Sequence, residues 1–173
     1  MRKLNAIISV ILTVLFLFHL VTGGLLLAGF DDSLYIVSKV SAFILLAAIT
    51  VHIVICVKFT ADTFKALGKT GSGYFAENGM FWVRRISGVA VLVFAVLHAI
   101  MLTGDNYMNY GFPQLMLSVL FVASLAVHLI GNIRPLMIAF GLGRGEKISV
   151  TVMLVLSTAL LASGAAFCVY FVR

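Results

Sequence analysis

The chain has four histidines, His19, His52, His98 and His128, and each stands inside a different long apolar run. An ionisable side chain is expensive in hydrocarbon, so four out of four placed this way call for a shared reason. Neutral imidazole is a common metal ligand and an axial ligand of haem iron. Two imidazoles at one depth on facing helices can clamp an iron from both sides of a flat macrocycle, and helix bundles commonly hold cofactors through inward side chains. The competing chemistry is plain interhelical hydrogen bonding by four polar groups. A proton relay would call for carboxylates beside the histidines, and no Asp or Glu stands mid-span.

The elements that carry these residues follow from composition. The 173 residues are 62% hydrophobic and 10% charged, with a mean hydropathy of +1.17. A soluble domain is nearer a quarter charged. The chain therefore reads as an integral membrane protein, one domain over 1–173 with little room for a soluble part. Five apolar segments, about 4–29, 34–57, 82–104, 113–134 and 148–172, are long enough to cross a bilayer as helices. They do not alternate polar and apolar, which excludes a closed β-barrel. The expected fold is all-α, with five transmembrane helices and the histidines on the first four, which form a bundle. The start Met1-Arg2-Lys3 before an apolar run resembles a signal peptide. The run is too long for one and no small-x-small site follows, so it reads as a retained first span. Cys56 and Cys168 belong to no CxxCH, so neither a c-type haem nor a disulfide is expected.

Orientation follows from Lys and Arg. Arg2, Lys3, Lys58, Lys65, Lys69, Arg84, Arg85, Arg134, Arg144 and Lys147 fall on one side; Lys39 and Arg173 fall on the other, with Asp31, Asp32 and Asp105. The N-terminus is expected in the cytoplasm and the C-terminus outside. This one-sided clustering accounts for the sequence pI of 9.6 without nucleic acid. The segment 58–84 is the longest connection and is rich in aromatics, including Phe64, Tyr74, Phe75, Phe81 and Trp82. It reads either as an interfacial belt or as a docking surface for a soluble partner.

Depth sorts the histidines into pairs. His52 and His128 each stand six residues before a basic residue, about 9 Å inside the cytoplasmic boundary. His98 stands seven residues before Asp105, about 10 Å from the outer boundary, and His19 lies in the same half. The two levels come out roughly 10 Å apart. Gly23 and Gly131, each about one turn after a histidine, suit a macrocycle approaching the backbone. Pro135 should kink or end the fourth helix. The fifth carries no histidine, and its small cluster 162–166 suits close helix packing. VHIVICVK (51–58) aligns with VHLIGNIR (127–134), and HLVTGG (19–24) with HAIMLTG (98–104), so helices 1–2 and 3–4 read as two copies of one hairpin.

With these residues in place the chain resembles the di-haem cytochrome b membrane anchor of succinate:quinone oxidoreductases, the succinate dehydrogenases and quinol:fumarate reductases. Those anchors have five transmembrane helices with haem histidines on the first four. Arg85-Ile86-Ser87-Gly88 is similar to the family's arginine, hydroxyl residue and glycine ahead of the third histidine, and HLIGNIRP (128–135) to the stretch after the last. The resemblance spans nearly the whole chain. It implies two b haems, His19 with His98 and His52 with His128, in the same pairs that depth gives. It implies flavoprotein and iron–sulfur subunits on the cytoplasmic face, electron transfer to or from quinone, often menaquinone, and a bacterial cytoplasmic membrane. The dicarboxylate chemistry would belong to the partners. Some members carry a mid-membrane glutamate before the last haem histidine; Ala126 and Val127 stand there in this chain. At 173 residues it is also short for the family.

Four further groups are candidates. Ser87 stands eleven residues before His98, nearly on the same helix face; Arg84 points roughly with it, and Arg85 points away. Both arginines either anchor the helix end at the interface or pair with the inner haem's propionates. Asp31, Asp32 and Asp105, the only outer acids, are candidate proton acceptors for quinone beside their plain role as solvated loop charge. Two other functions fit the same residues: a di-haem anchor of another dehydrogenase, and a haem-free transporter or scaffold.

Overall fold

The structure is a computed structural model and describes residues 2–70, 79–103, 111–142 and 146–172. The described residues form five helices and no strand: α1 (Arg2–Leu27), α2 (Leu34–Thr70), α3 (Gly79–Thr103), α4 (Gly111–Ala139) and α5 (Glu146–Val172). In four of them Lys3–Leu27, Leu34–Gly68, Gly79–Met101 and Phe112–Ala139 are long and apolar enough to cross a membrane. In α5 the apolar stretch among the described side chains is shorter, Val150–Ala165.

The distribution of side chains is that of a protein whose solvent is lipid. Large apolar groups such as Val14, Phe43, Val54, Val89 and Ile100 are exposed. The most buried residues include polar ones: Thr22, Ser38, Ser41, Ser87 and Gln114. In hydrocarbon no gain comes from hiding apolar surface, while polar groups must find partners inside.

Two helix ends have a specific cause. At the end of α1, Gly29 adopts φ +70°. Its N–H donates to the Leu26 carbonyl, and the Phe30 N–H donates back to Leu25. Gly141, φ +76°, ends α4 in the same way, with Leu142 donating to Met137. This paired arrangement satisfies the last carbonyls and needs a left-handed residue. The end of α1 is therefore set by Gly29, and Gly23 and Gly24 lie within the helix. Gly29→Ala is expected to cost about 1–2 kcal/mol, read as a lower melting temperature, while alanine at Gly68, a helical position with open space around it, should not destabilise.

Two boundaries differ from the sequence reading. α2 continues past 57 to Thr70, 37 residues in all, which is about 55 Å of helix against a hydrocarbon core of about 30 Å. Its surplus turns carry Lys58, Asp62 and Lys65, all exposed. No Pro or Gly interrupts 58–67, so nothing stops the helix where the charges begin. Pro135 does not end α4, which runs four residues further. Proline there leaves the Gly131 carbonyl without its i+4 donor, and the helix runs on past it.

The chain falls into two units, 1–72 with 135–173, and 73–134. In the first, α1 packs along α2, and α5 packs against α1. Leu156 is the buried residue of α5. The small cluster is not its packing face in the described part, since a Cβ on Gly164 would meet nothing within 4 Å. In the second, α3 and the first 24 residues of α4 form a hairpin.

Candidate functional site

In the first hairpin, His19 on α1 reaches across to α2. Its Nδ1 lies 3.0 Å from Ser41 Oγ. Ser41 is buried, and its hydroxyl donates to the Ser38 carbonyl at 2.8 Å. A hydroxyl has one proton. With that proton on Ser38, the oxygen is left to accept from His19 Nδ1–H. Thr22, one turn beyond His19, is also buried and donates to the carbonyls of Phe18 and His19.

His52 is held differently. Its Nε2 lies 3.4 Å from the Sγ of Cys56, one turn along the same helix. The thiol also reaches Asn5 Oδ1 on α1, at 3.9 Å. Cys56 forms no disulfide among the described residues. The sequence reading treats it only as a thiol in an apolar span; the i, i+4 spacing from His52 to Cys56 is the signal that places them side by side.

The second hairpin repeats the tether at its other histidine. His128 Nδ1 on α4 lies 3.2 Å from Ser87 Oγ on α3. Ser87 is buried and also approaches the Arg84 carbonyl at 3.3 Å. Gly88 lies beneath the same ring: a Cβ there would stand 3.1 Å from His128 Cε1. Asn132 donates to the His128 carbonyl at 2.7 Å. His98, on the same α3, lies beside Phe121 of α4, ring centroids 5.5 Å apart.

These tethers fix the levels. Ser41 stands eleven residues before His52, so His19 and His52 lie about 16 Å apart along the first hairpin. Ser87 stands eleven residues before His98, and His98 and His128 are separated by about the same rise in the second. Counted from charged residues at the span ends, the levels come out roughly 10 Å apart; counted along the helix between the tethers, the separation is about 16 Å. Each hairpin thus presents two imidazole levels. The repeat that carries this geometry is SAFILLAAITVH (41–52) against SGVAVLVFAVLH (87–98), which aligns α2 with α3. The hairpin repeat read from sequence passes it by, because that alignment starts from the histidines.

The arginines separate as their helix positions suggest. Arg84 lies along α4, with its Cγ 3.5 Å from where a Gly131 Cβ would be. Arg85 stacks over the Phe81 ring at 5.2 Å. Phe81 is buried and meets Trp82 edge-on at 5.7 Å, so only Trp82 of that pair is exposed. Gly23 and Gly131 face the neighbouring helix of their own hairpin at ordinary van der Waals distance, from Ser38 Oγ and Arg84 Cγ. They admit close helix packing, and the tightly required glycine is Gly88. Asp31 and Asp32 are exposed. Asp31 accepts the Ser33 N–H at 2.9 Å, and its hydrogen bonds to Ser33, the hydroxyl first, hold its carboxyl below the usual range. That makes it a weaker base and gives it a turn-forming role ahead of α2. Asp105, Tyr74, Phe75 and Arg144 lie outside the described residues, as do the side chains of Arg2, Lys69, Lys147 and Cys168.

Among the described residues no three His, Cys, Asp or Glu side chains converge on one point. The arrangement offers single imidazoles at separate levels, which suits axial ligation of a flat macrocycle better than a metal cage. Compared with protein-family models, curated proteins and solved structures, the chain matches none.

Proposed function

We propose that this chain is a di-haem cytochrome b anchor of the succinate dehydrogenase and fumarate reductase type, in a bacterial cytoplasmic membrane with its N-terminus in the cytoplasm. The observation that carries the reading is the presence of two imidazole levels in each hairpin, about 16 Å apart, with His19 and His128 tethered through Nδ1. In the Nδ1–H tautomer the lone pair that iron would take is on Nε2. His19 and His98 would hold an outer haem b, and His52 and His128 an inner one. His52 must exchange the Cys56 contact for iron if it ligates through Nε2. When bound, the two haems would supply one-electron relays between a cytoplasmic iron–sulfur subunit and quinone. Arg84, on the α4 side of α3 and near the His128 level, is the better placed cation for a propionate; Arg85 is occupied by Phe81. The alignment of four apolar helices, four histidines and the Arg-x-Ser-Gly stretch with the family pattern supports the same reading.

Pyridine haemochrome analysis of the purified chain tests it. Two haem b per chain are expected. A value of one or none overturns it, and none favours a haem-free transporter or scaffold. Co-purification of a flavoprotein and an iron–sulfur subunit would separate this anchor from that of another dehydrogenase.

The partner surface makes a second prediction. The surplus turns of α2 expose Lys58 and Lys65, and Arg134 is exposed on α4. The sequence places all three on the basic, cytoplasmic side. A subunit delivering electrons must sit there, since tunnelling falls steeply with distance. Reversing Lys58 and Lys65 to Glu is expected to weaken assembly severalfold at low salt and less at high salt, because exposed charges are screened. Pull-down across a salt series measures it; equal loss at all salt concentrations would point to unfolding instead. Trp82 is the aromatic anchor left for that contact.

A further inference from the structure

Both hairpins contain a serine hydroxyl placed in the same way between a backbone carbonyl and a histidine. Ser41 Oγ donates to Ser38 O at 2.8 Å and lies 3.0 Å from His19 Nδ1. Ser87 Oγ approaches Arg84 O at 3.3 Å and lies 3.2 Å from His128 Nδ1. In each case the carbonyl is three residues before the serine on its own helix, and the histidine belongs to the other helix of the hairpin. Both serines are buried, at 5% and 6% relative exposure. A hydroxyl that gives its one proton to the i−3 carbonyl is left to accept from the ring. In that arrangement the ring carries its proton on Nδ1 and its lone pair on Nε2.

This matters because the nitrogen that bears the proton decides which nitrogen can bind a metal. Metal-binding histidines generally donate their other ring N–H to a fixed acceptor, which sets the ring's orientation and raises its basicity. A serine already committed to a carbonyl is such an acceptor. The spacing supports a built device: Ser41 and His52 are eleven residues apart on α2, as are Ser87 and His98 on α3. Three helical turns bring residues back to nearly the same face. Each of these helices therefore presents on one face its own histidine and, three turns away, the acceptor for its neighbour's.

We propose that Ser41 and Ser87 are positioning residues that hold His19 and His128 in the Nδ1–H form and so assign Nε2 of each as the ligand nitrogen. The inference rests on the haem reading for the identity of the metal group, and on hydrogen-bond geometry alone for the tautomer.

The test uses the full chain with ¹⁵N-labelled histidine in detergent, produced with and without haem supply. In the haem-free chain, nitrogen NMR should show His19 and His128 as Nδ1–H tautomers. Ser41→Ala should release His19 only and Ser87→Ala His128 only, and threonine at either position, which keeps the hydroxyl, should restore the tautomer. In the haem-loaded chain each alanine variant should raise the midpoint potential of one haem and leave the other unchanged, because a less basic imidazole stabilises ferric iron less. Tautomers indifferent to both serines overturn the proposal and leave the haem reading standing. A tautomer response in a chain that never binds haem overturns the ligand role, reduces the serines to ties between helices, and overturns the haem reading with it.

Discussion

On the two-haem proposal, His128→Ala is expected to leave one haem of the two, halving the pyridine haemochrome signal, and His19→Ala is expected to remove the other. The expectation comes from the separation within each hairpin. Ser87 sets the level of His128, and His98 stands eleven residues further along the same helix, about 16 Å away. One porphyrin cannot take axial ligands from both. The same holds for His19, level with Ser41, and His52. On the proposed pairing each macrocycle draws one histidine from each hairpin, and a substitution at one level should spare the other. His52→Ala should act like His128→Ala, and His98→Ala like His19→Ala, as judged by which haem potential survives. Haem binding also stabilises the bundle, so the surviving haem must keep its native spectrum for the result to count. A substitution in one pair that abolished the haem of the other pair, with the fold intact, would show the pairing to be wrong.

How much of this the sequence carries depends on the kind of contact. The four long apolar helices and the histidine on each are one-dimensional facts, and the structure places helices over all four segments. Within each hairpin the separation of the two histidines was also readable, because a helix converts residue number into rise at a fixed rate. Its size was not, because span ends are an indirect ruler, while the contacts between helices give the eleven-residue separation directly. The contacts between helices are a different matter. Nothing in the apolar pattern says that His19 meets Ser41, although the eleven-residue spacing to His52 was there to be read. The same spacing at Ser87 points toward His98; the structure joins Ser87 to His128 on the neighbouring helix instead. Residues on one face of a helix three turns apart share a direction, and what they meet in that direction is set by the partner helix. Glycine shows the same limit. Gly23 and Gly131 were the natural candidates by their spacing from histidines, and both turn out to face helices at ordinary distance.

Gly88→Val is expected to cost the inner haem while leaving the helices in place. The ring of His128 lies so close to α3 that even a methyl group at position 88 would stand 3.1 Å from Cε1 and 3.4 Å from Nδ1. Alanine asks the ring to give by a few tenths of an ångström, and the ring is also tied to Ser87, the residue just before. Valine adds two further methyl groups, one of which must point toward the ring or into the preceding turn. Overpacking of this kind typically costs about 1–3 kcal/mol. The strain can be relieved by rotating the imidazole away from α3, which breaks the Ser87 tether and removes Nε2 from its level. Haem content is then expected to fall from two toward one for valine, with alanine intermediate, and the outer haem should keep its potential. Gly164→Val is the matched control, since its Cβ would meet nothing within 4 Å; it should leave both haems in place. If Gly88→Val kept both haems with unaltered potentials, the seating of His128 against Gly88 would not be the geometry that binds iron, and the inner pair would have to be assigned again.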